Sequence, residues 1–228
     1  AKKVNLTKDV DNVLLSAVNF YGPDVTTADV ENFYKAKISP DPKRPLSYGL
    51  NSQLVKQDGK LLERVYKSGG LYGAAIDKII GWLEKAKAVA ENKAQGEALG
   101  LLIEYYKTGD LQTWDDYNVA WTSATDGNID YINSFIEVYN DPVGYRGSYE
   151  TVVQIKDFEM SQKMAVLSEN AQWFEDNSPL MQEHKKANVV GVTYKVVDVA
   201  GTNVWQSSAI GPYGESPGDS IPPVGWTP

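Results

Sequence analysis

Residues 136–150, Ile-Glu-Val-Tyr-Asn-Asp-Pro-Val-Gly-Tyr-Arg-Gly-Ser-Tyr-Glu, constrain this chain more than any other stretch. Pro142 has no amide hydrogen and pushes Asp141 toward extended geometry, so no helix passes through this point. Gly144 and Gly147 then allow the backbone to turn tightly. The run that follows, 148–155, reads as a strand, and the run before it, 129–139, reads as an amphipathic helix entered through the turn Asp126-Gly127-Asn128. Glu137, Tyr139 and Glu150 are thereby expected at a helix-to-strand junction, where functional residues often sit on a rigid frame.

The rest of the chain divides by its apolar spacing. Val10, Val13, Leu14, Ala17 and Val18 predict a helix over 7–20, stopped by Gly22-Pro23. Thr26 and Asp29 form the start signal of a second helix with Val30, Phe33 and Tyr34 inward. Residues 39–45 hold three prolines and read as loop. Residues 51–67 predict a β-hairpin turning at Asp58-Gly59, a dipeptide that tolerates positive φ at both positions. Helices follow over 72–91 and 95–107, the second ending at Gly109, and over 113–121 behind a Thr-x-x-Asp cap. A long helix is expected over 156–176, a short one through His184, and a strand over 189–199, where Val190, Val192, Tyr194 and Val196 alternate. Trp82, Trp114, Trp121 and Trp173 are expected as core anchors. The total is six to eight helices and four or five strands. This is an α+β fold, with helices packed around a small, mostly antiparallel β-core.

Composition narrows the partners. Of 228 residues none is cysteine and one is histidine, His184, which excludes disulfides and thiolate chemistry and leaves no Cys-ligated metal site. A formal net charge of −8 argues against nucleic acid and is compatible with a cationic ligand such as a free amino terminus. No run suits a membrane span and no signal-peptide pattern opens the chain. The first residue is Ala, so the compartment stays open, with the cytoplasm favoured.

The pattern Ile-Glu-x-Tyr-x-Asp-Pro-x-Gly-x-Arg-Gly-x-Tyr-Glu resembles the signature region of the dipeptidyl peptidase III family of zinc peptidases. The resemblance continues through Leu46-Ser-Tyr-Gly-Leu-Asn-Ser, Tyr105-Tyr-Lys-Thr-Gly-Asp-Leu and Asn170-Ala-Gln-Trp-Phe-Glu-Asp-Asn-Ser-Pro, and is greatest to the bacterial members. It covers roughly residues 5–211 and implies the fold of that family's substrate-binding lobe over 1–201, with a divergent Pro/Gly-rich tail over 202–228. It also implies an exopeptidase that removes dipeptides from the amino terminus of oligopeptides. Glu137 would pair with the substrate's ammonium and Tyr139 would hydrogen-bond the adjoining backbone, because a partly buried ammonium needs a carboxylate and further acceptors. Glu150 would join this substrate-binding set or only support Arg146 and its strand. From pattern alone the three residues read as an acid at a helix end, a core tyrosine and a strand acid.

Two departures qualify the resemblance. The family binds zinc through a His-Glu-x-x-x-His helix motif and a later glutamate, and this chain has no such motif. No cofactor is therefore expected in this chain, zinc belonging to the full-length family, and His184 reads as a surface residue. The family's Gly-Ile-Asn-x-Pro-Asn loop after the late strand is also replaced, Gly211 being followed by Pro212-Tyr213-Gly214. The expectation is a peptide-binding part, inactive alone, whose partners are an oligopeptide with a free amino terminus and a missing zinc-bearing lobe. The alternative is a free-standing, non-catalytic peptide-binding or scaffold protein.

Other chemistries have weaker signals. The acid pairs Asp115-Asp116 and Glu175-Asp176 could mark a glycosidase, but both lie in helical runs where acids normally face water. No Gly-x-Ser-x-Gly elbow accompanies His184 for nucleophilic catalysis. The segment Ile221-Pro222-Pro223 could dock a proline-recognition domain or be an unstructured end.

Overall fold

A computed structural model describes residues 4–189 and 196–201. They contain seven α-helices, one 3-10 helix and five strands. In order these are α1 (Asn12–Leu15), α2 (Thr27–Lys35), β1 (Ser52–Gln57), β2 (Lys60–Val65), α3 (Gly73–Ala88), α4 (Lys93–Thr108), α5 (Leu111–Ser123), β3 (Ile129–Glu137), β4 (Ser148–Lys156), α6 (Phe158–Glu169), α7 (Ala171–Asp176), the 3-10 turn Gln182–His184 and β5 (Val197–Gly201). β1 and β2 form an antiparallel two-stranded sheet, and β3, β4 and β5 hydrogen-bond in that order. The α+β expectation holds. Among the described residues no helix is long and apolar enough to cross a membrane.

The chain divides into two compact units. The larger contains residues up to 127 and Asn133–Glu150. Its helix α2 starts as the sequence predicts, with a capping box in which Thr26 accepts from Asp29 N and the Asp29 carboxylate accepts from Thr26 N. The hairpin turns at Asp58 and Gly59, both at positive φ (51° and 75°), pairing Gln57 with Lys60. Leu54 is fully buried and closes a cluster of Val13, Phe20, Tyr21, Val25, Val30 and Tyr34. A second core lies along α3, α4 and α5, where Ile76, Ile80, Leu102, Ile103 and Trp121 are buried. There the rings of Tyr105, Trp114 and Tyr117 pack in succession at tilted angles, with centroids 4.9 and 5.1 Å apart. Gly109 ends α4 in the left-handed conformation.

The smaller unit comprises Asn128–Ile132 and the described residues from 151 onward. In it β4 pairs antiparallel with β5, from Val152 opposite Gly201 to Lys156 opposite Val197. Asp157 caps α6 by accepting from Met160 N at 2.9 Å, while Ser161 Oγ accepts from Val196 N at 3.0 Å. Phe158, Trp173 and Phe174 remain exposed.

Several expectations are corrected. The helix over 7–20 shrinks to one turn, Asn12–Leu15, because Val10 and Leu14 find nothing to bury against. Residues 20 and 21 are instead drawn into extended pairing with the hairpin, Phe20 O accepting from Leu54 N and Gly22 N donating to Leu54 O. The run 129–139 is not a helix: Ile129–Glu137 is the strand β3 and 138–139 begin the loop after it. Its Ile132 and Ile136 satisfy helical spacing, but they also share a face at a period of two with buried Ser134. Its β-branched and aromatic content and the adjacent β4 decide in favour of the strand. The helix over 156–176 starts later, since β4 runs to Lys156, and breaks at Asn170 into α6 and α7. Asp110, not Thr113, caps α5, its Oδ2 accepting from Thr113 N at 2.8 Å. Trp82 and Trp173 are 70% and 58% exposed and anchor no core, whereas Trp114 and Trp121 do. The strand expected over 189–199 appears as β5 from Val197, with 190–195 outside the described residues, as are the tail 202–228 and Ile221-Pro222-Pro223.

Asp115 is half-buried on α5, beside the exposed pair of Arg44 Nη2 and Asp116 Oδ1 at 3.1 Å. Burial pushes its carboxyl up to about 6 from 3.8, with Asp116 and Asp110 adding to the rise against Arg44. Between these values the folded state binds the proton more tightly than the unfolded chain, so this group's contribution to stability falls as pH rises through the window. Asp115→Asn removes that loss. Urea unfolding should show a higher midpoint for the variant at neutral pH and no difference below pH about 4. Equal midpoints at neutral pH would contradict a buried, destabilising carboxylate.

Candidate functional site

The site is built on the connection between β3 and β4, residues 138–147. Pro142 needs no hydrogen-bond acceptor, and its neighbour Asp141 organises the turn. Asp141 Oδ2 accepts from Tyr145 N at 2.8 Å and Arg146 N at 2.9 Å, and Oδ1 accepts from Val143 N at 3.2 Å. Tyr21 Oη donates to the same Oδ2 at 2.7 Å from 120 residues away, tying the loop to the first core. Gly144 takes positive φ (74°). Gly147 has a different reason to be glycine: a Cβ there would stand 2.7 Å from Phe135 C and 2.9 Å from Ile136 N. Its amide donates to Leu50 O at 2.8 Å.

Arg146 is fully buried. Nη1 donates to Gly49 O at 2.8 Å, Ser52 O at 3.1 Å and Ser52 Oγ at 2.5 Å, and Nη2 donates to Tyr34 Oη. Tyr34 Oη and Ser52 Oγ in turn donate to Glu63 Oε1 at 2.6 and 2.8 Å, while Lys37 Nζ binds Oε2. The guanidinium also lies over the rings of Tyr21 and Tyr34, at 5.2 and 4.9 Å. Burial by itself disfavours its charge, but Tyr34, Tyr21 and Glu63 outweigh that and raise its pKa above the ordinary arginine value. Burial likewise would raise the Glu63 carboxyl, and the hydrogen bonds from Lys37, Tyr34 and Ser52 hold it below the ordinary glutamate value. Two cations and two anions, Arg146, Lys37, Glu63 and Asp141, thus face a shared set of hydroxyls and carbonyls, the condition under which buried charge is tolerated.

This clamp fixes where the three sequence-predicted residues stand. Glu137 is the last residue of β3 and not a helix end. Its carboxylate is half-buried, burial raises its pKa, and among the described residues it has no hydrogen-bond or ion-pair partner. Tyr139 is 49% exposed at the start of the loop, which excludes a core tyrosine. Its Oη lies 3.5 Å from Glu150 Oε1, close enough to donate a long hydrogen bond. Glu150 is 1% exposed, on the inward face of β4 with Ser148 and Val152. Tyr139 and Glu150 are therefore brought together, and Glu137 has no such partner among the described residues.

Sequence reasoning missed Tyr21 and Glu63 and saw Tyr34 only as an inward residue of α2; all three hold the loop from distant segments. No local signal marks Tyr21 or Glu63. Gly49 and Ser52 were visible only as letters of the Leu46-Ser-Tyr-Gly-Leu-Asn-Ser motif, whose role is to supply the Arg146 acceptors. The remaining candidates do other work. Asp116 pairs with Arg44. Glu175 Oε1 accepts from Lys186 N, and Asp176 Oδ1 from Gln172 Nε2. His184 is exposed on its 3-10 turn. Zinc does not fit these residues: among those described, no group of three His, Cys, Asp or Glu side chains is placed to hold a metal ion.

The clamp predicts a cost for a single hydroxyl. Tyr21→Phe leaves one buried acceptor site of Asp141 unfilled, and a hydrogen bond to a charged group is worth about 1.5–3 kcal/mol. Urea unfolding should show a loss of that size with an unchanged slope; a loss below about 0.5 kcal/mol, the level of an ordinary surface substitution, would contradict the anchoring role.

Comparison with known proteins places this architecture. The profile of Peptidase family M49 matches residues 46–215. Dipeptidyl peptidase 3 of Homo sapiens is 29% identical over 130 residues, which are 57% of this chain and 18% of that protein. The solved structure of DPP III from Caldithrix abyssi superposes with a TM-score of 0.60 at 26% identity, covering 81% of this chain and 34% of that one. The dipeptidyl-peptidase III structure from Corallococcus sp. strain EGB, at 23% identity and TM-score 0.54, shares the fold over 82% of this chain and 34% of its own. This chain thus spans about a fifth of the human protein and a third of the solved ones. With most of its length inside the profile match, including the loop 138–147, the chain belongs to peptidase family M49, the dipeptidyl peptidase III family.

Proposed function

We propose that this chain carries the amino-terminus-binding wall of a dipeptidyl peptidase III-type exopeptidase, which removes dipeptides from the amino terminus of oligopeptides. The observation that carries this reading is Glu137. A half-buried carboxylate without a partner among the described residues is costly, and its raised pKa records that cost. A peptide ammonium supplies the missing charge and donates to the carboxylate oxygens. Tyr139, half exposed with its hydroxyl beside Glu150, turns that hydroxyl to the first peptide carbonyl, and Glu150 holds the phenol in reach. The peptide runs extended beside β3, the edge strand of its sheet among the described residues, where main-chain hydrogen bonds give affinity with little demand on sequence.

In this reading residues 1–201 serve as the binding lobe and 202–228 as a separate tail. The chain binds without cleaving, and the zinc-bearing residues come from a complementary part of the enzyme. The single histidine of the sequence also favours a second reading, a peptide binder without catalysis. Mixing the chain with a zinc-bearing part of a dipeptidyl peptidase III separates the two, since dipeptide release supports the first and its absence the second.

Calorimetric titration with a short peptide, beside the same peptide acetylated at its amino terminus, tests the site itself. The free form should bind and the acetylated form should not. Glu137→Gln should weaken binding by about 1.5–3 kcal/mol, the worth of a charge-assisted hydrogen bond. Binding requires the ionised carboxylate, so affinity should fall on acidification through the raised Glu137 pKa, at a higher pH than for an ordinary glutamate. Equal binding of both peptides, or a Glu137→Gln variant of unchanged affinity, would remove Glu137 from the site.

A further inference from the structure

The larger unit contains a pocket of about 310 Å³ that the peptide reading does not use. Glu137, Tyr139 and Glu150 are not among its lining residues. In a chain that is 23% charged, the described lining residues include no Asp, Glu, Lys or Arg. One wall is a run of four rings in succession: Tyr72 against Tyr66 at 5.2 Å, Tyr66 against Phe135 at 4.7 Å, and Phe135 against Tyr149 at 5.5 Å between centroids. Polar groups sit at the two ends of the run. Asn19 Nδ2 donates to Tyr72 Oη at 3.0 Å, and Ser148 joins Tyr149 at the other end, where Tyr149 Oη accepts from Asn133 Nδ2 at 3.0 Å.

Tyr72 supplies a second, independent observation. It is the N-cap residue of α3, with φ 61° and ψ 16°, and its side chain caps nothing. A bulky residue in the left-handed region is an outlier. Glycine would relieve the backbone there, and Ser, Thr, Asp or Asn would satisfy the helix end. Neither local geometry nor capping accounts for a tyrosine at this position; its ring at the edge of the pocket does. Backbone strain of this kind collects where a side chain is held for binding.

We propose that this pocket binds a neutral, flat group of one or two aromatic rings with a polar atom at its edge, carried by a free small molecule or by a peptide side chain. The absence of ionised lining residues excludes a charged ring system, which would be desolvated without compensation. The size agrees: an apolar cavity of about 150 Å³ holds one benzene, and small-molecule sites begin near 300 Å³. The ring run supplies offset and edge contacts to the ligand's faces, and the Asn19–Tyr72 end meets its polar edge. This proposal does not depend on Glu137 and survives the failure of the amino-terminus site.

Calorimetric titration of the chain with indole tests it. Binding should be saturable at one site. Tyr72→Gly should weaken it about 2- to 10-fold, the range of one aromatic contact, with the fold retained, since glycine accepts the left-handed backbone. Ala75→Phe, an exposed helix position lining the pocket, should abolish binding by filling the space. Trp82→Ala, an exposed ring elsewhere on α3, should leave the dissociation constant unchanged. The absence of saturable binding, or binding that survives both Tyr72→Gly and Ala75→Phe, overturns the site. Displacement of indole by Gly-Trp-amide but not Gly-Ala-amide assigns the ring to a peptide, and displacement by neither assigns it to a free small molecule. Equal displacement by both overturns the aromatic chemistry.

Discussion

The buried guanidinium of Arg146 is the constraint on which the loop and its neighbours depend. A charge removed from water must be met by acceptors, and Arg146 collects them from segments nearly 100 residues away, Gly49 and Ser52. Its own amide is held by Asp141, which Tyr21 holds in turn. One side chain therefore links the first helices, the hairpin and the loop between β3 and β4. The directionality of a planar fork bonded to fixed carbonyls gives this loop a single arrangement, which a purely apolar contact would not. Glu137 and Tyr139 take their positions from it. A side chain on such a loop, as Tyr139 is, keeps little conformational freedom, so ordering it for a ligand would cost little entropy.

Much of the fold was legible. Thr26 with Asp29, Asp58-Gly59 and Gly109 each encode their local structure through capping or φ alone, so α2, the hairpin and the end of α4 stand where the sequence puts them. Errors arose where tertiary context decides. Residues 129–137 fit two periodicities, and the presence of β4 alongside, invisible to a local reading, selects the strand. Val10 and Leu14 mimic a helical face that has no surface to cover. Trp82 shows the limit of reading aromatics as core, since its ring lies on α3 beneath the ammonium of Lys85, in solvent.

The site was legible to a different degree. Glu137, Tyr139 and Glu150 were named through a family pattern, and periodicity alone gave them bland roles. Family membership follows from the profile match, while the binding role proposed for these residues rests on the burial of Glu137. The letters around them turn out to serve the frame. Asp141, Gly147 and Arg146 hold the loop, and the distant motif at 46–52 supplies acceptors to Arg146. Tyr21 and Glu63 belong to the same network and left no mark in the sequence, and Tyr34 showed only as an inward residue of α2, because hydrogen bonds across 29 to 120 residues have no local signature.

Amide hydrogen exchange tests the clamp most directly. The Tyr145 and Arg146 amides donate to Asp141 and the Gly147 amide donates to Leu50 O, all on a connecting loop. If the buried Arg146 network fixes this loop, the three amides open only with global unfolding and exchange as slowly as Leu102 in the core of α4. Exchange of all three at the rate of exposed loops, with Leu102 still protected, would contradict the account.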